Sequence, residues 1–170
     1  MLIKSIRCQV EKQKKGLFSK GQTQWEPVSH VKGFLGQLGG WCEQDPNQAW
    51  IIAFWENPST YQHFMKEVHD RIFLSSGQGK TYSAIYVDFF EMDHQPQQMA
   101  SFVENCDVLN VEVLESTLRI SGGKSNEETT FTANASDLNG HLLSILSDNI
   151  QVEEAWRVVP IKSPLFPGEK

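Results

Sequence analysis

The stretch whose residue types best suit catalysis is FMKEVHDRIF, residues 64–73, in which His69 precedes Asp70. A histidine oriented by a carboxylate is a common general base. The surrounding apolar residues recur at helical spacing, and His69 lies at the edge of the apolar stripe that they form. Because adjacent residues on a helix point about 100° apart, the sequence predicts that Asp70 does not hydrogen-bond His69. His69 alone is therefore the candidate catalytic residue, and the alternative is a histidine at the edge of the core.

Metal and nucleotide sites are not supported by the spacing of the other reactive residues. His63 and His69 are six positions apart, whereas two histidine ligands on one helix need the i, i+4 spacing. The three cysteines are far apart and form no C-x-x-C pair: Cys8, Cys42 and Cys106. The segment Gly79-Lys80-Thr81 lacks the first glycine of a phosphate-binding loop and follows a helix instead of a strand. We therefore predict no metal and no cofactor.

The composition is that of a globular protein that does not bind nucleic acid or membranes. The 170 residues are 39% hydrophobic and carry a net charge of −6, without a dense basic stripe. A basic surface is what attracts nucleic acid and anionic lipid. No apolar stretch approaches the roughly 20 residues that span a bilayer. We expect a cytoplasmic protein with reduced thiols.

The first half of the chain predicts an α+β fold of the ferredoxin-like type. Alternating or continuous apolar runs predict strands over residues 2–10, 33–44, 48–57 and 81–92. Helices are predicted from about residue 13 to Glu26, where Pro27 follows, and from Pro58 to about Leu74. The order strand, helix, strand, strand, helix, strand is the split β-α-β arrangement, which places both helices on one face of an antiparallel sheet.

The first strand has one apolar and one more polar face. Leu2, Ile6, Cys8 and Val10 share the first, whereas Ile3, Ser5, Arg7 and Gln9 share the second. If the apolar face packs under the helices, Arg7 points away from them and needs a partner. Asp88 is one candidate partner and an anionic ligand is the other.

Aromatic residues could line a pocket beside these polar groups. The pocket-lining candidates are Arg7, Trp41, Trp55, Tyr86 and Asp88. The alternatives are a structural ion pair and aromatic side chains that belong to the core.

The strand over residues 48–57 is apolar on both faces, and the helices can cover only one of them. A second sheet must cover the other face, and it comes from another subunit or from the rest of this chain.

The second half gives weaker signals. A helix is predicted over 99–105, strands over 107–117 and 129–135, and a loop over 122–128. A helix over 136–149 and a strand over 150–161 follow. We divide the chain into a domain at 1–92, a connector at 93–106 and an extension at 107–170. The extension is either a degenerate second ferredoxin-like unit or irregular.

Three stretches carry a resemblance to a known family: FLGQLGGW (34–41), FWENPSTYQHFMKEVHD (54–70) and TYSAIYVDFFE (81–91). With them, residues 1–92 resemble the YdbC-like bacterial family of unknown function. This family lies within the dimeric α/β-barrel superfamily that includes the antibiotic-biosynthesis monooxygenases. The resemblance implies a homodimer, which we narrowly favour over cover by the C-terminal strands.

The resemblance also implies a pocket that handles a small molecule. Haem-degrading members of the superfamily use an asparagine on the first strand and a tryptophan and a histidine around the second helix. In this chain Arg7 stands at the position of the asparagine and Phe64 near that of the tryptophan, and His69 lies some residues before the position of the histidine. The resemblance therefore does not imply haem degradation. The first functional hypothesis is a cofactor-independent oxygenase that acts on a small aromatic ligand. The alternative is a non-catalytic binding or regulatory module whose cavity is filled by its own aromatic side chains.

Overall fold

Eight antiparallel strands form one closed barrel in the computed structural model of this chain, which describes residues 1–93, 96–124, 127–136 and 146–161. The first four strands are β1 (Leu2–Gln9), β2 (Phe34–Cys42), β3 (Gln48–Trp55) and β4 (Ala84–Glu91). The other four are β5 (Val108–Leu114), β6 (Thr117–Lys124), β7 (Glu127–Ala135) and β8 (Leu146–Val152). The order around the barrel is β1-β3-β2-β8-β5-β6-β7-β4.

The helices are α1 (Lys15–Gln22), α2 (Pro58–Phe64), α3 (Asp70–Ser76) and α4 (Pro96–Asn105). After α1 the chain continues in 3₁₀ turns over Thr23–His30, so the α-helix ends before the predicted Glu26. The side chain of Asn57 caps α2, since its Oδ1 accepts a hydrogen bond from the Thr60 amide at 2.9 Å. Within the described residues, no helix has the length and apolar character needed to cross a membrane.

A single π-helical turn, Met65–His69, joins α2 to α3. The predicted continuous helix is therefore present but interrupted at its centre. Such a turn places an extra residue in the helical repeat, and it rotates the residues beyond it relative to those before it. Turns of this kind occur often at functional sites.

The sheet of the first half has the ferredoxin-like order β4-β1-β3-β2, as predicted. The faces of β1 also follow the prediction. Leu2 packs in one cluster with residues of α2 and α3, whereas Ile3 packs inside the barrel with Trp50 and Phe90. The helices α1 to α3 therefore lie on the outer face of this sheet.

The strands of the second half cover the inner face. Trp50, Ile52 and Phe54 of β3 share one core cluster with apolar residues of β5 to β8, such as Leu109 and Ile150. The second sheet thus comes from the same chain. A homodimer stays a prediction, but the covered face no longer requires one.

Several elements of the second half differ from the prediction. Residues 122–124, predicted as loop, belong to β6, where a Cβ on Gly122 would lie 2.5 Å from the Cys106 Sγ and from the Val108 carbonyl oxygen. The glycine is thus required by close packing inside a strand. The predicted helix over 136–149 is wrong at its end, because Leu146–Val152 is strand β8. Its residues 137–145 lie outside the described part of the chain. The predicted strand over 150–161 ends at Val152, and a 3₁₀ turn follows at Glu154–Trp156.

The strand order of the second half is β8-β5-β6-β7, with three consecutive strands side by side. This differs from the β4-β1-β3-β2 order of the first half, so the degenerate second ferredoxin-like unit is not confirmed. The predicted connector contains α4, whose Met99, Phe102 and Val103 enter the barrel core. Both halves therefore contribute to one core, and the proposed domain boundaries stay a prediction.

Candidate functional site

A cavity of about 330 Å³ lies between the outer face of the first-half sheet and the helices α1 to α3. We call it the helix-side cavity. Alternate residues of β1, β3 and β4, including Ile6, Ala53 and Val87, form its floor. Its walls are mainly aromatic: Phe18, Trp25, Phe34, Trp55, Tyr61, Phe64, Phe73 and Tyr82. A cavity of this size and composition is typical of sites that bind small organic molecules.

Trp55 lies at the centre of the aromatic wall. Its ring centroid is 5.2 Å from that of Phe34, 5.7 Å from Tyr61 and 4.8 Å from Phe64. The side chain is 2% exposed, and its Nε1 has no hydrogen-bond partner among the described residues. A buried N–H without an acceptor is costly.

His69 lines the cavity and is hydrogen-bonded to Asp70, with 2.9 Å between Nδ1 and Oδ1. The prediction that these neighbours do not pair is therefore wrong. It considered only the directions in which neighbouring helical residues point, whereas the two side chains bend towards each other from backbone positions with α-helical angles. The imidazole also stacks on Phe73, with 5.6 Å between ring centroids, and contacts the ring of Trp25.

The pairing leaves Nε2 of His69 as the ring nitrogen available for another partner. The side chain of His69 is 19% exposed and that of Asp70 is 85% exposed. The Asp70 carboxylate can orient the imidazole, but water around the carboxylate weakens its electrostatic effect on His69.

Two buried glutamine side chains connect different parts of the cavity wall through hydrogen bonds. The Gln78 Nε2 donates to the Gln22 Oε1 at 2.7 Å, and the Trp25 Nε1 donates to the Gln78 Oε1 at 2.9 Å. Both glutamines line the cavity and are buried. This network joins α1 to the turn that precedes β4, so it fixes the position of two walls.

Lys4 supplies the positive charge of the cavity. It is partly exposed, and it lies on β1 opposite Ala53 of β3 and Phe89 of β4, on the helix side of the sheet. Its Nζ lies 5.1 Å from the ring centroid of Tyr61. Among the described residues that line the cavity there is no other lysine, no arginine and no carboxylate. Burial lowers the pKa of Lys4 to about 8.

The thiol and the two phenol groups of the cavity wall are neutral near pH 7. Burial raises the pKa of Tyr61 to about 12 and that of Cys8 to about 12. Burial also raises the pKa of Tyr82. The Cys8 thiol is therefore a packing group and a poor nucleophile.

Arg7, Tyr86 and Asp88 form a separate cluster on the opposite face of the sheet. The Arg7 Nη2 lies 3.7 Å from the Asp88 Oδ2, so the candidate partner of the arginine is its observed partner. The guanidinium carbon lies 5.5 Å from the ring centroid of Trp50 and 5.2 Å from that of Tyr86. This cluster does not face His69, because β1 separates the two.

Trp41 occupies a third location. Its ring packs against Phe18 and Trp156, with centroid distances of 5.7 and 5.3 Å, and the Lys15 Nζ lies 4.0 Å above it. It does not line the helix-side cavity. Of the six residues predicted from the sequence, Trp55 and His69 line the helix-side cavity. Arg7, Tyr86 and Asp88 group on the other face of the sheet, and Trp41 lies apart from both sets.

Lys4 is not among the site residues predicted from the sequence, although its position in the alternation of β1 marks it as unusual. It lies between Leu2 and Ile6 in the alternation of β1 and therefore shares their apolar face. A lysine in the middle of an apolar face of a central strand is uncommon without a partner.

Metal ligands do not cluster in the part of the chain that the structure describes. No three histidine, cysteine, aspartate or glutamate side chains there are close enough together to hold an ion.

Comparisons with known proteins identify the first half of the chain. Residues 2–90 match a family described as a domain of unknown function, DUF4937. Over 95 residues the chain is 41% identical to the uncharacterized protein YdbC of Bacillus subtilis (strain 168). The aligned residues cover 55% of this chain and 80% of that protein.

Solved structures resemble the whole barrel. A candidate monooxygenase from Lactobacillus acidophilus gives a TM-score of 0.54 at 10% identity, over 94% of this chain and 96% of that one. A candidate monooxygenase from Fusobacterium nucleatum gives 0.57 at 9% identity, over 89% and 91%. An anthrone oxidase-like protein gives 0.53 at 8% identity, over 89% and 90%. At these identities the likeness shows the fold alone. The predicted resemblance to the YdbC-like family and to the monooxygenase-like fold is confirmed.

Proposed function

This chain belongs to the DUF4937 family, and we propose that it binds a small aromatic molecule in the helix-side cavity and oxygenates it without a bound cofactor. The observation that carries the proposal is the cavity itself, with aromatic walls and His69 among its lining residues. A cavity filled by the protein's own side chains would have favoured the non-catalytic alternative. A volume of about 330 Å³ instead leaves room for a ligand.

In the proposed reaction His69 is the general base. The hydrogen bond to the Asp70 Oδ1 orients the imidazole, so that Nε2 can remove a proton from the substrate. A methylene group made acidic by neighbouring aromatic rings then becomes a carbanion, which can reduce O₂. Overall, the methylene carbon loses two hydrogens and gains one oxygen as a carbonyl, and the second oxygen leaves with both hydrogens as water. The stacking of His69 on Phe73 supports its fixed orientation.

The names of the fold relatives support this reaction class. Two are candidate monooxygenases, and a third is named for a likeness to an anthrone oxidase. Anthrone is therefore a suitable first substrate, since its methylene lies between two aromatic rings.

The test is oxygen uptake by the purified protein with anthrone, followed by product analysis. We expect His69→Ala to lower the rate by about a hundredfold or more. The matched control is His63→Ala, because His63 is exposed on α2 and should not matter. Equal rates in the two variants would refute the role of His69, provided that the wild-type protein turns over.

Binding without catalysis is the second candidate function, and the exposure of Asp70 favours it. A carboxylate that is 85% exposed gives the imidazole little electrostatic help. Native mass spectrometry of the protein as purified distinguishes the two. A retained aromatic molecule that comes through exposure to O₂ unchanged would favour binding alone.

A further inference from the structure

We propose that Lys4 makes the helix-side cavity selective for aromatic anions, in which a carboxylate or phenolate oxygen meets the Lys4 ammonium. The inference rests on the proposed function, since it names the ligand class of the same cavity. It starts from the charges of the cavity wall, because no described lining residue is a carboxylate.

The position of Lys4 is built into the fold. The residue lies in a central strand that is hydrogen-bonded to β3 on one side and β4 on the other. Its neighbours across the strands are Ala53 and Phe89, so no polar side chain lies directly beside it. In the described structure its charged group contacts one protein group of opposite character, the face of the Tyr61 ring at 5.1 Å. That contact is weaker than an ion pair.

Among the described residues that line the cavity, none supplies a counter-charge to Lys4, whose side chain is partly exposed and lies among apolar neighbours. Cations buried in apolar surroundings are costly unless a partner neutralises them. An anionic ligand would be that partner. The ligand therefore needs an oxygen-centred negative charge that reaches the Lys4 Nζ.

The aromatic rings of the cavity wall determine the shape and polarity of the uncharged part of the ligand. The rings of Phe34, Trp55, Tyr61 and Phe64 favour a flat apolar body. The ligand class is therefore an aromatic ring system with one oxygen-centred anion. A carboxylate and a phenolate share this chemistry, and the experiment below separates them.

The test uses matched pairs of probes that quench tryptophan fluorescence. Naphthoate and the neutral naphthamide have nearly the same shape and differ in charge. We expect the wild-type protein to bind naphthoate about tenfold more tightly or better, which is the usual gain from a charge-assisted hydrogen bond. In Lys4→Met the two affinities should become equal. In Lys20→Met, which removes an exposed lysine on α1, the preference should persist.

Nitrophenol provides the phenolate arm of the experiment. Its absorbance reports directly whether the bound molecule is ionised. A bound spectrum of the phenolate form at a pH where the free probe is mostly protonated extends the ligand class to phenolates. A bound spectrum of the neutral phenol restricts it to carboxylates.

A pH series on the wild-type protein tests the same point without a variant. Because the pKa of Lys4 is about 8, the preference for naphthoate should fall as the pH rises through that value. The other titratable groups of the described cavity wall are Cys8, Tyr61, His69 and Tyr82. The first two have a pKa of about 12, and burial raises the pKa of Tyr82 as well. A change centred near pH 8 that Lys4→Met abolishes reports Lys4, and one that persists in this variant overturns the inference.

Each outcome separates this inference from the proposed function. If both probes bind the wild-type protein equally well, the inference is wrong and the aromatic cavity stands. If neither probe binds, the proposed function is wrong and the inference fails with it. A preference that persists in Lys4→Met assigns the selectivity to another group and overturns the inference.

Discussion

Replacing Lys4 by methionine should make the protein more stable at neutral pH. The substitution keeps an unbranched side chain and removes the amine from an apolar site. Burial lowers the pKa of Lys4 from 10.5 to about 8, which corresponds to about 3 kcal/mol for a fully buried group. Because Lys4 is partly exposed, we reduce the expected gain to about 1–2 kcal/mol. For a chain of this length, that is an increase in Tm of roughly 2–8 °C.

The sign of the pH dependence follows from the direction of the pKa shift. Below pH 8 Lys4 is protonated in both states, and the folded state carries the full cost of the buried charge. Between pH 8 and 10.5 the folded state releases the proton while the unfolded state keeps it, so the stability contributed by this group rises with pH. The advantage of Lys4→Met should therefore be largest at pH 7 and shrink towards pH 10.

Urea unfolding of the wild-type protein and the variant at pH 7 and pH 9.5 measures this difference. The methionine side chain adds a hydrophobic contribution that does not depend on pH, so the decisive quantity is the change between the two pH values. The control Lys20→Met alters an exposed lysine and should change stability by less than about 0.5 kcal/mol at either pH. A loss of stability in Lys4→Met at pH 7, or a gain that is the same at both pH values, would refute the reasoning.

Two further predictions concern the barrel. Gly122→Ala should destabilise the protein by about 1–3 kcal/mol, because the new Cβ would lie 2.5 Å from the Cys106 Sγ. A Cβ added at Gly16 on α1 would meet no atom of another element within 4 Å, so Gly16→Ala should stabilise the protein by about 0.5–1 kcal/mol. Similar effects of the two substitutions on denaturant unfolding would contradict the described packing. Light scattering should find a fragment of residues 1–95 more strongly associated than the whole chain, because the fragment lacks strands β5 to β8, which cover the inner face of β3. A fragment that associates no more than the whole chain would contradict the intramolecular cover.

The first-half sheet could be predicted because its patterns are local. The alternation of β1 separates Leu2 from Ile3 in the sequence and in the structure alike. The apolar residues on both faces of β3 correctly required a second sheet. The source of that sheet depends on which strands meet across the barrel, and no local pattern records this.

The candidate site was less predictable, for two physical reasons. The hydrogen bond between His69 and Asp70 is made by their side chains while both residues keep α-helical backbone angles, so helical periodicity alone does not reveal it. The grouping of Arg7 with Trp55 failed because the two side chains lie on opposite faces of one sheet. Lys4 could have been found by asking why a charged residue interrupts the apolar face of β1.

A crystal structure of the protein with bound naphthoate shows directly whether the helix-side cavity is the ligand site. We expect electron density for the ring system in the helix-side cavity, against the wall formed by Trp55 and Phe64, with the carboxylate within hydrogen-bonding distance of the Lys4 Nζ. Density for the probe on the other face of the sheet, beside Arg7 and Tyr86, would contradict the claim.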